Sequence, residues 1–333
     1  MLNFDKYTTE LKFKQIRDEL VRNIENGYFK SKTILPSISD LGIEYGFSRV
    51  TVDRAYKYLK SKGYITYVAG KGYYVSERRL RQKILLIFNK LSYYKKNIYY
   101  GILEALNEQA RIDLQIHHYD IKILDEIITE NLDKYDYFVI MPHFKLEVKE
   151  EEVINVLSRI PNNKLLILDK PITNYDSYIA SVYQDFENDI FLALNTVKNP
   201  FKKYKKLSLV IPAYSNHPLE ITEGARRFCE QNSLDFTVLE GVDDEKIEIG
   251  TAYIVIEEAE LAVLIKKVRE SKLKMGRDIG LISFNETVLK ELLDITVFTT
   301  DFDGMGRILG EMILKQDFAH VKNPFNIIRR KTF

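Results

Sequence analysis

The stretch that decides the architecture is Leu35-Pro-Ser-Ile-Ser-Asp-Leu41, Gly42-Ile-Glu-Tyr-Gly46, Phe47-Ser-Arg-Val-Thr-Val-Asp-Arg-Ala55, Tyr56-Lys-Tyr-Leu59. Pro36 and Ser37 form a helix start, with Ser37 as N-cap and Asp40 three residues on as a short capping box. Leu41 and Tyr45 carry the apolar stripe until Gly46 stops it after barely two turns. Ser48 then caps a second helix whose Val52, Ala55, Tyr56 and Leu59 face inward as far as Gly63. Upstream, Phe13, Ile16, Leu20, Val21 and Ile24 define an earlier helix that Gly27 ends. Downstream, Tyr64-Ile-Thr-Tyr-Val68 and Tyr73-Tyr-Val75 read as strands around Ala69-Gly-Lys-Gly72, a hairpin with a cationic tip. Two helices across a tight Gly46-Phe47 turn make a helix-turn-helix, whose second helix fits a DNA major groove.

Charge supports this division. Through Gln82 there are 16 Lys and Arg against 9 Asp and Glu, a net +7, and the remaining residues carry −6. A basic amino-terminal quarter on an acidic body suggests a nucleic-acid-binding module joined to a sensing or catalytic domain. At 333 residues and 45% hydrophobic content the chain should hold two or three folded domains. The lone Cys229 excludes an internal disulfide framework and a Cys-rich zinc site. No apolar run reaches the ~18 residues of a membrane span, and the first residues lack a secretory layout. A soluble, cytoplasmic protein is expected.

Leu35-Pro-Ser37, Leu41, Gly46, Ser48-Arg49, Thr51-Val52, Ala55, Leu59, Gly63, Ile65 and Gly70-Lys-Gly72 resemble the winged-helix DNA-binding domain of GntR-family regulators over about 12–76. The resemblance implies contact with double-stranded operator DNA by Ser37, Ser48, Arg49, Thr51, Arg54, Lys57, Lys71 and Gly72. Ser48 and Thr51 sit at a helix start that favours phosphate. Arg49 can reach phosphate or a guanine edge, with Arg54 and Lys57 on the flanking backbone. Lys71, between glycines, suits the adjacent minor groove. Two departures matter: many members have Arg at the position of Ser39, and a basic residue is common at that of Asp53. An acidic group toward phosphate costs affinity, so Asp53 either meets a cytosine amino group or lies off the interface.

After the charged segment 77–82, apolar strand-like runs alternate with amphipathic helical patterns. The runs are Ile84–Phe88, Leu114–Tyr119, Tyr137–Met141, Lys164–Leu168, Tyr178–Val182, Leu207–Ile211, Phe236–Leu239, Ala252–Ile256, Ile279–Ser283 and Ile295–Thr299. Helical patterns fall near 97–110, 123–133, 147–158, 186–198, 219–232, 258–272 and 303–315. Such alternation means parallel sheets covered on both faces, and this many strands suggests two Rossmann-like lobes. The expected fold class is therefore α/β: an amino-terminal winged helix-turn-helix (1–76), a linker (77–82) and a two-lobed periplasmic-binding-protein-type domain (83–333).

The body's order is similar to the sugar-binding effector domain of LacI-type repressors over about 83–330. Leu166-Ile-Leu-Asp169, Val182-Tyr-Gln-Asp185, Thr251-Ala252 with Glu257-Glu258, Gly280-Leu-Ile-Ser-Phe-Asn285, Thr299-Thr300 and Ile327-Ile-Arg-Arg330 carry the likeness. It implies chain crossings between lobes near 183–185, 300–302 and 317–322, around a ligand cleft. It also implies that Asp169 accepts hydrogen bonds from sugar hydroxyls. Asn285 stands where Asp is usual and Glu257 where Asn is common, which changes the expected hydroxyl pattern. Ile221 replaces an Arg that often clamps the sugar. Without Trp, stacking on a sugar falls to Tyr93, Tyr94, Tyr183 or Phe284. Asp185 is a further candidate, although it precedes a helix and would serve equally as its cap.

Enzymatic readings find little support. The histidines make no His-Glu-x-x-His, and His117 and His118, adjacent on an expected strand, face opposite sides. There is no Gly-x-Ser-x-Gly, P-loop or dinucleotide fingerprint. An aminotransferase-like, pyridoxal-phosphate body, which some GntR-family proteins carry, would be considerably longer. No cofactor and no metal are expected. The sequence thus predicts a homodimeric transcriptional regulator, with repression the expected sign, controlled by a sugar or sugar derivative. The alternative is a non-regulatory ligand-binding protein whose basic module contacts a protein partner.

Overall fold

The computed structural model describes residues 2, 12–76, 82–107, 109–212, 214–243 and 246–333. The chain divides into two compact units, Met1–Gln82 and Lys83–Phe333. Of the expected linker, 77–81 lie outside the described residues, and Gln82 already opens a strand.

The first unit contains α1 (Lys12–Glu25), α2 (Ile38–Tyr45), α3 (Arg49–Ser61), β1 (Ile65–Val68) and β2 (Gly72–Val75). Ser37 caps α2 by accepting from the Asp40 N–H at 3.1 Å, and Gly46, with φ +73, ends it where a side chain would be strained. Ile16, Leu20, Leu41, Val52, Ala55, Tyr56 and Leu59 are fully buried and join the three helices. Tyr56, deep in this core, keeps its hydroxyl satisfied by donating to the Pro36 carbonyl at 2.7 Å. The hairpin pairs Ile65 with Val75 and Val68 with Gly72, and Tyr73 packs edge-on against Tyr56, which fixes the wing to α3.

The second unit holds two six-stranded sheets. Chain order begins β3 (Gln82–Phe88), α4 (Tyr93–Leu106), β4 (Ala110–Ile116), α5 (Ile121–Asn131), β5 (Tyr137–Ile140), α6 (Glu150–Leu157), β6 (Leu165–Asp169) and β7 (Ala180–Tyr183). It continues α7 (Phe186–Thr196), α8 (Lys198–Phe201), β8 (Lys206–Val210), α9 (Glu220–Asn232), β9 (Asp235–Leu239), β10 (Thr251–Val255), α10 (Glu258–Glu270), β11 (Gly280–Phe284), α11 (Val288–Leu292) and β12 (Thr296–Thr300). Last come α12 (Phe302–Lys315), β13 (His320–Lys322) and β14 (Phe325–Ile328). The sheet orders are β13-β7-β6-β5-β3-β4 and β14-β12-β11-β10-β8-β9. The strands from β8 to β12 pair in parallel, whereas β14 returns antiparallel on β12. Apolar clusters cover both faces of each sheet, so the central strands are buried end to end.

The chain crosses between lobes after β7, after β12 and after β13. The third crossing runs through Asn323 and Pro324 rather than over 317–322. His320–Lys322 pairs in parallel with β7 and so still belongs to the first lobe. The Asn323 N–H then donates to the Tyr183 carbonyl at 2.7 Å, tying two crossings together. Two helix pairs pack without side-chain spacers. Gly101 and Gly306 let α4 and α12 meet backbone to backbone, and Gly224 does the same for α9 against α7.

Candidate nucleic-acid interface and ligand cleft

Ser48 caps α3: its Oγ accepts from the Thr51 N–H at 3.2 Å and lies 2.7 Å from Thr51 Oγ1. The cap engages the Thr51 N–H, and the start of α3 at Arg49 and Val50 stays at the surface, where a phosphate can sit. Arg49 and Lys71 are exposed, and among the described residues neither has an ion-pair partner. Lys71 stands on a turn whose N–H donates to the Val68 carbonyl at 3.0 Å, flanked by Gly70 and Gly72 in left-handed backbone. Gly72 therefore serves wing geometry.

Other expected contacts are engaged within the protein. Asp53 pairs with Lys57 at 2.8 Å one turn along, and that hydrogen bond raises the Lys57 pKa. The charge of Asp53 is thus matched on its own helix, and Lys57 is engaged by it. The Arg54 guanidinium lies 4.6 Å over the Phe13 ring of α1, pointed away from a purely solvated position. Ser37 donates to Asp40 Oδ2 at 2.7 Å, so its proton is already committed. Val50 escaped the sequence reading. It is 78% exposed in the first turn of α3, where an apolar group can meet a thymine methyl. Its signal was legible: it is the apolar residue that falls off the helix's inward stripe.

In the second unit, the carboxyl ends of both sheets enclose a cavity of about 870 Å³. Tyr93, Tyr94, Asp169, Glu257, Phe284 and Asn285 line it; Tyr183 and Asp185 do not. Tyr183 is held in β7 between Asp169 and Lys322. Asp185 caps α7, accepting from the Asn188 backbone at 3.4 Å and from its side-chain amide at 2.8 Å, with Lys322 at 3.7 Å. Tyr94 stacks at 5.2 Å on Phe302 beyond the second crossing, and Phe284 meets Phe298 and Phe325. The aromatic wall is therefore built from residues of both lobes.

Asp169 ends β6 with φ +77 and is 3% exposed. Its Oδ2 accepts from Lys95 Nζ at 2.6 Å and from His143 Nε2 at 3.0 Å, and its Oδ1 accepts from Gln184 Nε2. Burial alone would raise its carboxyl pKa, but Lys95 and His143 outweigh this and hold it well below the usual carboxylate range. Burial likewise lowers the His143 pKa against the pull of Asp169, so the ring is neutral with its proton on Nε2. Gln184 extends the chain by accepting, at Oε1, from Thr300 Oγ1 of the other lobe. Across the cavity, Glu257 accepts from His217 Nε2 at 2.8 Å, a bond that lowers its pKa. Lys290, buried on α11, donates to the carbonyls of Phe284 at 2.6 Å and Asn285 at 3.2 Å, beside Asn285 at φ +62.

Lys95, His143, Gln184, His217 and Asn89 also line the cavity and were not anticipated. The histidines were weighed only as metal ligands. Their usable signal was position, because His143 and Gln184 follow the ends of β5 and β7 at the face where such folds bind ligands. His117 and His118 are not on a strand: β4 ends at Ile116, and His118 and Tyr119 have positive φ. Among the described residues no group of three or more His, Cys, Asp or Glu side chains could hold a metal ion. No helix of the described residues is long and apolar enough to cross a membrane.

A winged helix with an exposed cationic reading helix, carried on the same chain as a two-lobed cleft, defines a ligand-modulated DNA-binding transcriptional regulator. Residues 12–75 match the family "Bacterial regulatory proteins, gntR family". That match covers the amino-terminal unit, whose winged helix is of the GntR type. It is 32% identical over 158 residues to the HTH-type transcriptional regulator TreR of Bacillus subtilis (strain 168), a match spanning 43% of this chain and 66% of TreR. It is 27% identical over 292 residues to the HTH-type transcriptional regulator GalR of Streptococcus thermophilus, spanning 73% of this chain and 85% of GalR. The body has the LacI-type fold. The Escherichia coli transcriptional repressor ascG superposes with TM-score 0.60 at 14% identity, over 76% of this chain and 99% of that one. The Lac repressor bound to ONPG superposes with TM-score 0.63 at 14% identity, over 95% of each.

Proposed function

We propose that this regulator is a cytoplasmic homodimer that binds an operator through α3 and the wing, and releases or grips it according to a carbohydrate held in the 870 Å³ cavity. The observation that carries the reading is the cavity itself. Its walls pair aromatic rings (Tyr94, Phe284, Phe302) with fixed polar groups (Asn89, Lys95, Asn285) drawn from both lobes, which suits a ring that is apolar on its faces and hydroxylated at its edge. A ligand touching both lobes favours the closed form, and closure alters the geometry of the paired DNA modules. Coupling of about 1–3 kcal/mol between sites is the ordinary scale for such a switch. Repression is the proposed sign, supported by relatives named as repressors, among them the mannosyl-D-glycerate system repressor MngR of Escherichia coli (strain K12), 36% identical over 72 residues. For DNA contact we assign Arg49, Val50, Thr51 and Lys71 to the interface proper. Footprinting on DNA upstream of the chain's own gene tests this: a protected two-fold symmetric site supports it, and uniform salt-sensitive binding without a footprint refutes it.

A further inference from the structure

The floor of the cleft holds a buried cation. Lys95 stands in the first turn of α4, lines the cavity and is 7% exposed. Among the described residues its ammonium gives one hydrogen bond, to Asp169 Oδ2. An ammonium has three N–H donors, so the protein's own partner accounts for a single one. Asp169 is in the opposite condition. Lys95 and His143 share its Oδ2, Gln184 holds its Oδ1, and Thr300 locks Gln184 from behind. Three buried donors thus take most of the roughly four acceptor sites of the carboxylate, which is itself 3% exposed, and little of it is left for a ligand hydroxyl. Asn89, at the end of β3, is 3% exposed, lines the same cavity and has a side-chain oxygen without a hydrogen-bond partner among the described residues.

Charge narrows the ligand further. Lys90, Asp189, Glu257, Glu258 and His217 also line the cavity. Asp189 is matched by Lys322 at 2.8 Å, Glu257 by His217, and Glu258 faces Lys290 at 3.5 Å. An anion would meet four carboxylates, and a cation would meet Lys95 and Lys90. A neutral ligand with several oxygens meets neither penalty.

We propose that Lys95, and not Asp169, reads the ligand. Its ammonium donates to an oxygen of a neutral polyhydroxylated molecule, and Asn89 Oδ1 accepts the proton of that hydroxyl or its neighbour. Asp169 is a positioning residue: it fixes the Lys95 ammonium, and through Gln184 and Thr300 it connects that ammonium to the other lobe. This rests on the carbohydrate reading above, and deepens it by naming the donor that decides specificity.

The test is calorimetry of the full chain with glucose, galactose, mannose, maltose, trehalose and lactose, followed by the deoxy and fluoro analogues of whichever sugar binds. Fluorine accepts a hydrogen bond weakly and donates none. At the hydroxyl read by Lys95 the fluoro analogue should outbind the deoxy analogue, and the deoxy analogue should lose roughly tenfold or more in affinity. Lys95→Met should lose a similar factor and erase the difference between fluoro and deoxy at that position. Asp169→Asn should lose less and keep it. Fluoro and deoxy analogues that are equally weak at every position overturn the proposal in the unmodified protein, whatever the variants do. Lys95→Met with unchanged sugar affinity and discrimination overturns it while leaving the carbohydrate reading intact. No binding by any of the six sugars overturns both.

Discussion

The two sites of this chain are built on opposite principles. On the DNA module Arg49, Val50 and Lys71 project into solvent from a small apolar core. In the cleft the polar groups are buried and bonded to one another, in a chain from Lys95 through Asp169 and Gln184 to Thr300. A solvent-facing site needs only a scaffold that presents it. A buried site must balance its own charges before it meets a ligand.

That contrast is open to attack by substitution, beginning with the largest expected effect. Removing Asp169 leaves the Lys95 ammonium buried and unpaired, and Asp169→Ala should cost about 3–5 kcal/mol in urea denaturation of the full chain. The double variant Asp169→Leu, Lys95→Met removes both charges and should recover most of that loss. Equal losses in the single and double variants would show that the ion pair is not what the site depends on.

On the DNA module the same logic predicts little effect on stability and a clear one on binding. Arg49→Ala should weaken operator binding by roughly 1–3 kcal/mol at matched salt while leaving the unfolding midpoint unchanged. A variant that binds as tightly as the parent would remove α3 as the reading helix. Asp53→Ala should tighten DNA binding slightly, because it releases Lys57 and removes a negative charge from the helix surface. Binding that weakens instead would place Asp53 in direct contact with a base.

Acid should separate the two regions as well. His117 is buried in the body, where its Nε2–H donates to the Met141 carbonyl at 3.0 Å and its Nδ1 has no partner among the described residues. Burial lowers its pKa to about 4. The unfolded chain therefore takes up this proton first, near pH 6.5, and the folded body only near pH 4. Stability from this group is complete above about pH 6.5 and lost as pH falls toward 4, by up to about 1.4 kcal/mol per pH unit. His117→Gln should flatten that slope, and Asp169 adds a further loss only below the ordinary carboxylate range, since its folded pKa is depressed. An unchanged slope in His117→Gln would assign the acid sensitivity elsewhere.

The same contrast explains what could be read from the residues alone. Caps, turns and the wing of the DNA module are local, and Ser37, Gly46, Ser48 and Gly70-Lys-Gly72 each do structurally what their neighbours in sequence require. Most strands of the body are also legible as continuous apolar runs, but β4, partly exposed along its length, runs Ala110–Ile116 rather than Leu114–Tyr119. The start of α4 was not: Ser92 caps it by accepting from the Lys95 N–H at 3.3 Å, but the aromatic Tyr93-Tyr94 pair disguised the first turn. A helix placed four residues late hides Lys95, and with it the buried ion-pair partner of Asp169. Residues 74 and 15 positions apart meet at that carboxylate, and no periodicity records such a meeting. The third crossing was misplaced for a related reason, since His320–Lys322 is a strand only by virtue of β7 beside it.

Whether the cleft governs the wing-bearing module can be read from operator affinity with and without sugar. A fluorescent duplex carrying the footprinted operator is titrated with the full chain by anisotropy, with and without a saturating concentration of each sugar in the calorimetric panel. The sugar bound in calorimetry should shift operator affinity by roughly 5- to 150-fold, Lys95→Met should abolish the shift, and affinity without sugar should be unaltered by that change. A sugar that binds the cleft tightly and leaves operator affinity unmoved would contradict control by the cleft.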